Sequence, residues 1–211
     1  MVMAALLAMD ESLHMLFTSR RVIRKLLQHR GFSPVEDAWD ASPEAFVKAY
    51  AEAPDYMTLT IRAWNGGILL LVFFPPDAKL KVQALREMCA YSEKCRCKHF
   101  VIAYRDQITP FAKQQIVSYR LDNAVRIECF AVPDLQYDRT DHEFVPQHRI
   151  VTPEEQEAIL RQYRCKKEQL PKLLPSDPVG RFLGARGGQV IKITRPSPNG
   201  YFHDVYRVCQ K

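Results

Sequence analysis

An acidic residue followed at a distance by an acid-x-lysine triplet is the spacing of a metal-dependent nuclease site. This chain carries it as Asp55 and Asp77-Ala78-Lys79. The chemistry would be phosphodiester hydrolysis, with two carboxylates holding Mg²⁺ and the lysine orienting or activating water. Such a triplet needs a strand, so that the acid and the lysine, two positions apart, share a face. Pro75-Pro76 ends the preceding strand pattern just before Asp77, which weighs against the site.

Cys95-x-Cys97-x-His99, with Cys89 upstream, is a possible zinc-ligand set. Structural zinc sites pair cysteines with two to four residues between them on a turn, whereas a single residue separates Cys95 from Cys97 and no second pair follows, so ordinary thiols are expected and no metal or other cofactor. Asp141-His142 and His203-Asp204 are acid–histidine neighbours without a marked nucleophile. No glycine loop of the phosphate-cradling kind occurs. Thr109-Pro110-Phe111-Ala112-Lys113 has the pattern of a capped helix start. A helix N-terminus offers backbone N–H groups and partial positive charge, which suit a DNA phosphate. The same residues equally describe an ordinary capped helix.

The elements that must position these residues can be read from spacing. Asp10 as cap and Leu13, Leu16, Phe17, Ile23, Leu26 and Leu27 at helical intervals predict a helix ending at Gly31, with Arg20, Arg21, Arg24 and Lys25 on a solvated face. Ser42-Pro43-Glu44 predicts a second helix to about Tyr50. Met57, Leu59 and Ile61 alternate as a half-buried strand, Asn65-Gly66-Gly67 is a hairpin turn, and Ile68 to Phe74 is a strand buried on both faces. A helix around Val82 to Cys89, a strand from Phe100 to Tyr104, a helix from Pro110 through Val117 and a strand from Val125 to Val132 complete a mixed α/β domain.

The composition shifts beyond residue 140. Residues 1–140 hold 7 Pro and 3 Gly, whereas the shorter remainder holds 7 Pro and 5 Gly, as a smaller, turn-rich unit would. The boundary is expected at 141/142. Thr152-Pro153-Glu154-Glu155 reads as a capping box opening a helix to about Tyr163. Asp177-Pro178 starts a short helix ending at Gly184, and Gln189 to Thr194 and Tyr201 to Cys209 read as strands.

At 211 residues, 47% hydrophobic and 26% charged, the chain has enough apolar material for a real core. Its formal net charge of +6 is modest for a free-standing DNA-binding protein. The 6 cysteines carry no disulfide spacing, and the apolar start Met1 to Met9 lacks a basic lead-in, so neither a disulfide framework nor a cleaved signal peptide is expected. The run Ile68 to Phe74 is too short to span a bilayer.

The run from Gln169 to Pro196 sets Pro171, Pro175, Pro178, Gly184, Gly187, Gly188 and Pro196 at tight intervals. It specifies a backbone path and lacks the acid, nucleophile and metal-ligand clusters that a catalytic site would need. Together with Phe144-Val145-Pro146-Gln147-His148, Glu168-Gln169-Leu170-Pro171-Lys172, Ser176-Asp177-Pro178-Val179, Phe182-Leu183-Gly184, Gly188-Gln189-Val190-Ile191-Lys192-Ile193, Arg195-Pro196-Ser197 and Tyr206-Arg207, it resembles the shared fifth subunit of eukaryotic nuclear RNA polymerases. This part also resembles the corresponding small subunit of archaeal RNA polymerase. The N-terminal part is similar more weakly, through Arg30-Gly31-Phe32 and Gln107-Ile108-Thr109-Pro110.

The resemblance implies a non-catalytic structural subunit in the nucleus. A nuclease-like α/β jaw domain, residues 1–141, would lie beside downstream duplex DNA. A small α+β assembly domain, residues 142–211, would dock on the largest polymerase subunit. DNA contact would be weak, not sequence-specific, and nearest Thr109, Pro110, Phe111, Ala112 and Lys113. Docking would involve His148, Pro171, Asp177, Pro178, Arg181, Gly184, Gly188, Lys192, Arg195, Pro196 and Arg207. No membrane or small-molecule substrate is implied. The chain departs from the family pattern at Phe111, where a small polar residue is usual, and at Pro198-Asn199-Gly200 and His203-Asp204.

Overall fold

A computed structural model describes residues 11–35, 42–52, 59–197 and 199–210. The Asp10 cap, Asp55, Met57 and Pro198 lie outside these residues. The chain separates into two compact units, residues 1–137 and 138–211, and its fold is α+β.

In the first unit, α1 spans Glu11–His29 and buries Leu16, Phe17, Val22, Ile23, Leu26 and Leu27, the stripe expected of an amphipathic helix. One cation of its supposed solvated face is buried. Arg20 is only 1% exposed. Its guanidinium donates to the Leu59 carbonyl and lies 5.4 Å from the Phe74 ring centroid. A carbonyl and a ring face supply what water would have given the charge.

A short strand β1, Ser33–Pro34, follows, and then α2, Pro43–Glu52, whose first turn is capped where Ala45 N–H donates to Ser42 Oγ at 3.1 Å. Strands β2, Ile61–Asn65, and β3, Ile68–Phe73, form an antiparallel hairpin about Gly66 and Gly67. Both glycines have positive φ, 53° and 84°, as the favoured two-residue hairpin turn requires. Strand β4, Lys79–Leu80, precedes α3, Val82–Lys94. Strand β5, His99–Tyr104, β6, Gln107–Ile108, α4, Pro110–Asn123, and β7, Arg126–Ala131, complete the unit. The main sheet has the order β1-β2-β3-β5-β7, and its β3-β5-β7 half is parallel. Leu71, Phe73, Phe100 and Ile102 pack on one side against Leu85, Met88 and Cys89 of α3 and Ile116 of α4. Helix α4 runs well past the expected Val117, and β2 begins later than its alternation suggested.

In the second unit, β8, Gln147–Ile150, leads into α5, Pro153–Gln162, which opens on the expected capping box of Thr152 and Glu155. Strand β9, Lys172–Leu173, helix α6, Pro178–Phe182, and the hairpin of β10, Val190–Pro196, and β11, Phe202–Cys209, follow. The sheet order is β8-β10-β11-β9, with β9 parallel to β11 and the other pairs antiparallel. One face buries Val190 and Val208 with Val151 and Ile159, the latter from α5. The other buries Ile191 and Ile193 with Leu173 and Cys209. No helix among the described residues is long and apolar enough to cross a membrane.

Candidate functional site

The nuclease-like triplet has no strand to align it. Strand β3 ends at Phe73 and the chain bends through residues 76–78, so Asp77 sits on an irregular turn and Lys79 opens the two-residue β4. Asp77 Oδ2 instead lies 3.5 Å from Lys81 Nζ, and both side chains are exposed. An exposed ion pair of this kind is worth little and does not build a metal site. The cysteine–histidine set is also drawn apart. The buried Cys97 thiol donates to the carbonyls of Leu69 and His99, at 3.2 and 3.0 Å, and burial raises its pKa. Burial likewise pushes the Cys89 thiol up to about 11. The His99 ring turns to Glu128.

That turn reveals an ionic cluster which spacing did not predict. Glu128 of β7 accepts from both terminal nitrogens of Arg30, each at 2.9 Å, and from His99 Nε2 at 2.7 Å; Arg126 Nε lies 3.0 Å away. Burial alone would raise the Glu128 pKa, but the His99 hydrogen bond and the two guanidiniums outweigh it and hold the carboxyl well below the usual range. Burial lowers the His99 pKa despite the carboxylate beside it, because Arg126 and Arg30 also oppose a further positive charge. The imidazole is thus neutral at pH 7 and donates through Nε2. The cluster ties the loop after α1 to β5 and β7. Its partners are 29 and 98 residues apart, and only the Arg30-Gly31-Phe32 resemblance pointed toward it.

The five residues expected near DNA gather at the start of α4. Thr109 is the N-cap: its Oγ1 accepts from Ala112 N–H at 3.3 Å and donates to the Leu80 carbonyl at 3.1 Å, and its N–H donates to the same carbonyl at 3.2 Å. Leu80 of β4 and Ile108 of β6 are parallel partners, so this small ribbon fixes where the helix begins. Pro110 brings no N–H, and Thr109 occupies that of Ala112. Phe111 N–H is then the remaining donor of the first turn. Pro110, Phe111 and Lys113 are exposed, Phe111 at 76%, while the Ala112 side chain is buried. The backbone N–H supply is therefore smaller than the sequence alone suggested.

The docking residues divide between the faces of the second sheet. Strand register places His148, Arg195 and Arg207 on the face of Ile191 and Ile193, and Lys192 on the opposite one, as the alternation required. His148 Nδ1 is 2.5 Å from the Pro146 carbonyl, and Arg207 Nη1 donates to the Lys172 carbonyl at 3.3 Å. Lys192 Nζ meets Asp204 Oδ2 at 2.7 Å, while Thr194 donates to the other carboxylate oxygen at 2.8 Å. These bonds raise the Lys192 pKa and lower that of Asp204. His203-Asp204 is thus split, Asp204 joining Lys192 on one face and His203 lying opposite Arg195 on the other.

The remaining docking residues shape the backbone. Asp177 caps α6 by accepting from Gly180 N–H at 2.7 Å, Pro178 opens that helix, and Arg181 lies half-buried in its last turn. Gly184, at φ 69°, ends the segment, and Gly188, at φ 85°, donates its N–H to the Cys209 carbonyl at 2.8 Å. The Pro171 carbonyl accepts from Val208 N–H at 2.9 Å, and Pro196 ends β10.

Comparison with known proteins covers both units. Residues 10–91 match the RNA polymerase Rpb5 N-terminal domain, and residues 137–209 match the RNA polymerase Rpb5 C-terminal domain. The chain is 30% identical over 201 residues to the "DNA-directed RNA polymerases I, II, and III subunit RPABC1" of Caenorhabditis elegans, covering 92% of this chain and 94% of the relative. It is 33% identical over 140 residues to the corresponding protein of Dictyostelium discoideum, covering 66% and 71% respectively. It is 26% identical over 198 residues to the "DNA-directed RNA polymerases IV and V subunit 5B" of Arabidopsis thaliana, covering 92% and 89%.

Proposed function

The chain belongs to the RNA polymerase Rpb5 family, and from that premise we propose that it is a non-catalytic structural subunit of a nuclear DNA-directed RNA polymerase. Similarity over 92% of the chain to a common polymerase subunit carries this reading. The second unit is the assembly domain and docks on the largest subunit. Its small sheet, with a core on each face and a path set by Asp177, Gly184 and Gly188, is a firm base for that role. The first unit is the jaw domain, and the exposed start of α4 approaches downstream duplex DNA through phosphates, without reading sequence. Phe111 N–H and the Lys113 ammonium supply the contacts there.

The test is purification of the tagged full-length chain from its own cells, with its companions identified. The expected outcome is recovery of the largest polymerase subunit in stoichiometric amount. Recovery with no large polymerase subunit would refute the reading. Recovery with one polymerase class alone would identify a specialised subunit.

A further inference from the structure

Strand β11 presents a bare edge. Its register with β10 and the bonds at its ends fix which backbone groups face which way. Cys209 N–H donates to the Gln189 carbonyl, and Ser197 N–H donates to the Tyr201 carbonyl, so His203, Val205 and Arg207 turn their N–H and C=O groups toward β10. Phe202, Asp204, Tyr206 and Val208 turn theirs the other way. Val208 meets Pro171 and β9 on that side, but β9 pairs only with Val208 and Cys209. Among the described residues, no strand lies beside the outward groups of Phe202, Asp204 and Tyr206. The opposite border of the sheet is protected: β8 is four residues long and follows Pro146, and the next outward position of β10 is Pro196, which has no N–H.

We propose that this edge, residues 202–206, is completed by an extended segment of a companion polymerase subunit, which adds as a further strand of the sheet in line with β9. The proposal rests on the polymerase reading given above and names the means of docking. The flanking chemistry specifies the segment. On the face of Val205, the edge is bordered by His203, Arg207 and Arg195, and β10 and β11 place no carboxylate there. On the other face, Asp204 is already matched by Lys192 and Thr194, leaving Phe202, 74% exposed, as the main contact group, with Tyr201, 77% exposed, at the entrance and the half-buried Tyr206 ring, packed 5.8 Å from that of Tyr163, at the inner end. The incoming strand therefore alternates, acidic residues toward the arginine face and apolar residues toward the aromatic face.

Strand addition has a signature that general burial lacks, and residue-resolved hydrogen exchange on the full chain, free and in the purified assembly, reads it. In the free chain the amides of Phe202, Asp204 and Tyr206 exchange fast while those of Val205 and Arg207 are protected. In the assembly those three outward amides slow by about tenfold or more. Unchanged exchange in an assembly that contains polymerase subunits overturns the proposal and leaves the polymerase reading standing. Protection already present in the free chain, with a doubled mass, makes the occupant a second copy and also overturns it. Purification without polymerase subunits removes the reading and the proposal together. A pair of variants gives a second readout. Asp204→Pro deletes one outward N–H and is expected to lower recovery of companions about tenfold, whereas Asp204→Asn keeps that N–H and retains them. Equal recovery with both variants overturns the proposal.

Discussion

Glu128 concentrates the electrostatics of the first unit, because one carboxylate serves Arg30, Arg126 and His99. Removing it takes from the Arg30 and Arg126 guanidiniums the largely buried carboxylate they share. Glu128→Ala is expected to cost about 3–5 kcal/mol of stability, measured by urea unfolding. The pH dependence follows from the same contacts. The folded pKa of His99 lies below its ordinary 6.5 and that of Glu128 below its ordinary 4.5, so in both cases the unfolded chain binds the proton more readily. Both contributions are present at neutral pH and are lost as pH falls, His99 first below 6.5 and Glu128 below 4.5. His99→Gln keeps a donor for Glu128 but does not titrate. It is expected to flatten the decline of melting temperature that the unmodified chain should show as pH falls below about 6.5; an unaltered slope would refute the assignment. None of this was visible in spacing. Arg30 and Glu128 stand 98 residues apart, and Arg20, read as a solvated cation, is buried because its acceptor is the carbonyl of Leu59, 39 residues on.

Helices were legible where their starting signals are local. Ser42, Thr109, Thr152 and Asp177 each accept an N–H from three residues on, so four adjacent residues contain the whole interaction. The short strands β1, β4, β6, β8 and β9 were not legible, since two to four residues carry no period and exist through remote partners. The α4 site shows both cases. Its cap was read from Thr109-Pro110, but the β4–β6 ribbon, which aims the helix by placing the Leu80 carbonyl on Thr109, was not. Thr109→Ala removes both the cap and that second bond and is expected to destabilise by about 1–2 kcal/mol. Thr109→Ser restores most of the loss. In α5 the two halves of the capping box separate cleanly. Thr152→Ala loses the acceptor for Glu155 N–H and is expected to cost about 1 kcal/mol. Glu155→Gln keeps an acceptor for Thr152 N–H and loses only its exposed pairing with Arg149, so its melting temperature is expected to stay close to that of the unmodified chain.

At the scale of the whole molecule, two separate cores allow the proposed attachment and the proposed DNA contact to be changed independently. The second unit has a hydrophobic cluster on each face of its sheet, so its shape does not depend on the apolar layer between β3, β5, α3 and α4. Gly188 belongs to this unit. At φ 85° it occupies a backbone region that a β-branched residue strongly resists, and its N–H donates to the Cys209 carbonyl at the end of β11. Gly188→Val is therefore expected to reduce recovery of companion subunits by about tenfold, the effect of roughly 1.4 kcal/mol of strain and lost contact. Lys113 belongs to the first unit, exposed on α4 and remote from that sheet in the chain. Lys113→Glu is expected to leave companion recovery intact. In the purified assembly, the slope of duplex-DNA affinity against salt should become shallower by about 1, as loss of one phosphate contact requires, equally for unrelated sequences. Unequal effects on different sequences would mean base contact, and a loss of companions with Lys113→Glu would mean that the first unit also anchors the chain. Recovery that survives Gly188→Val and fails with Lys113→Glu would reverse the assignment, making the α4 surface the point of attachment.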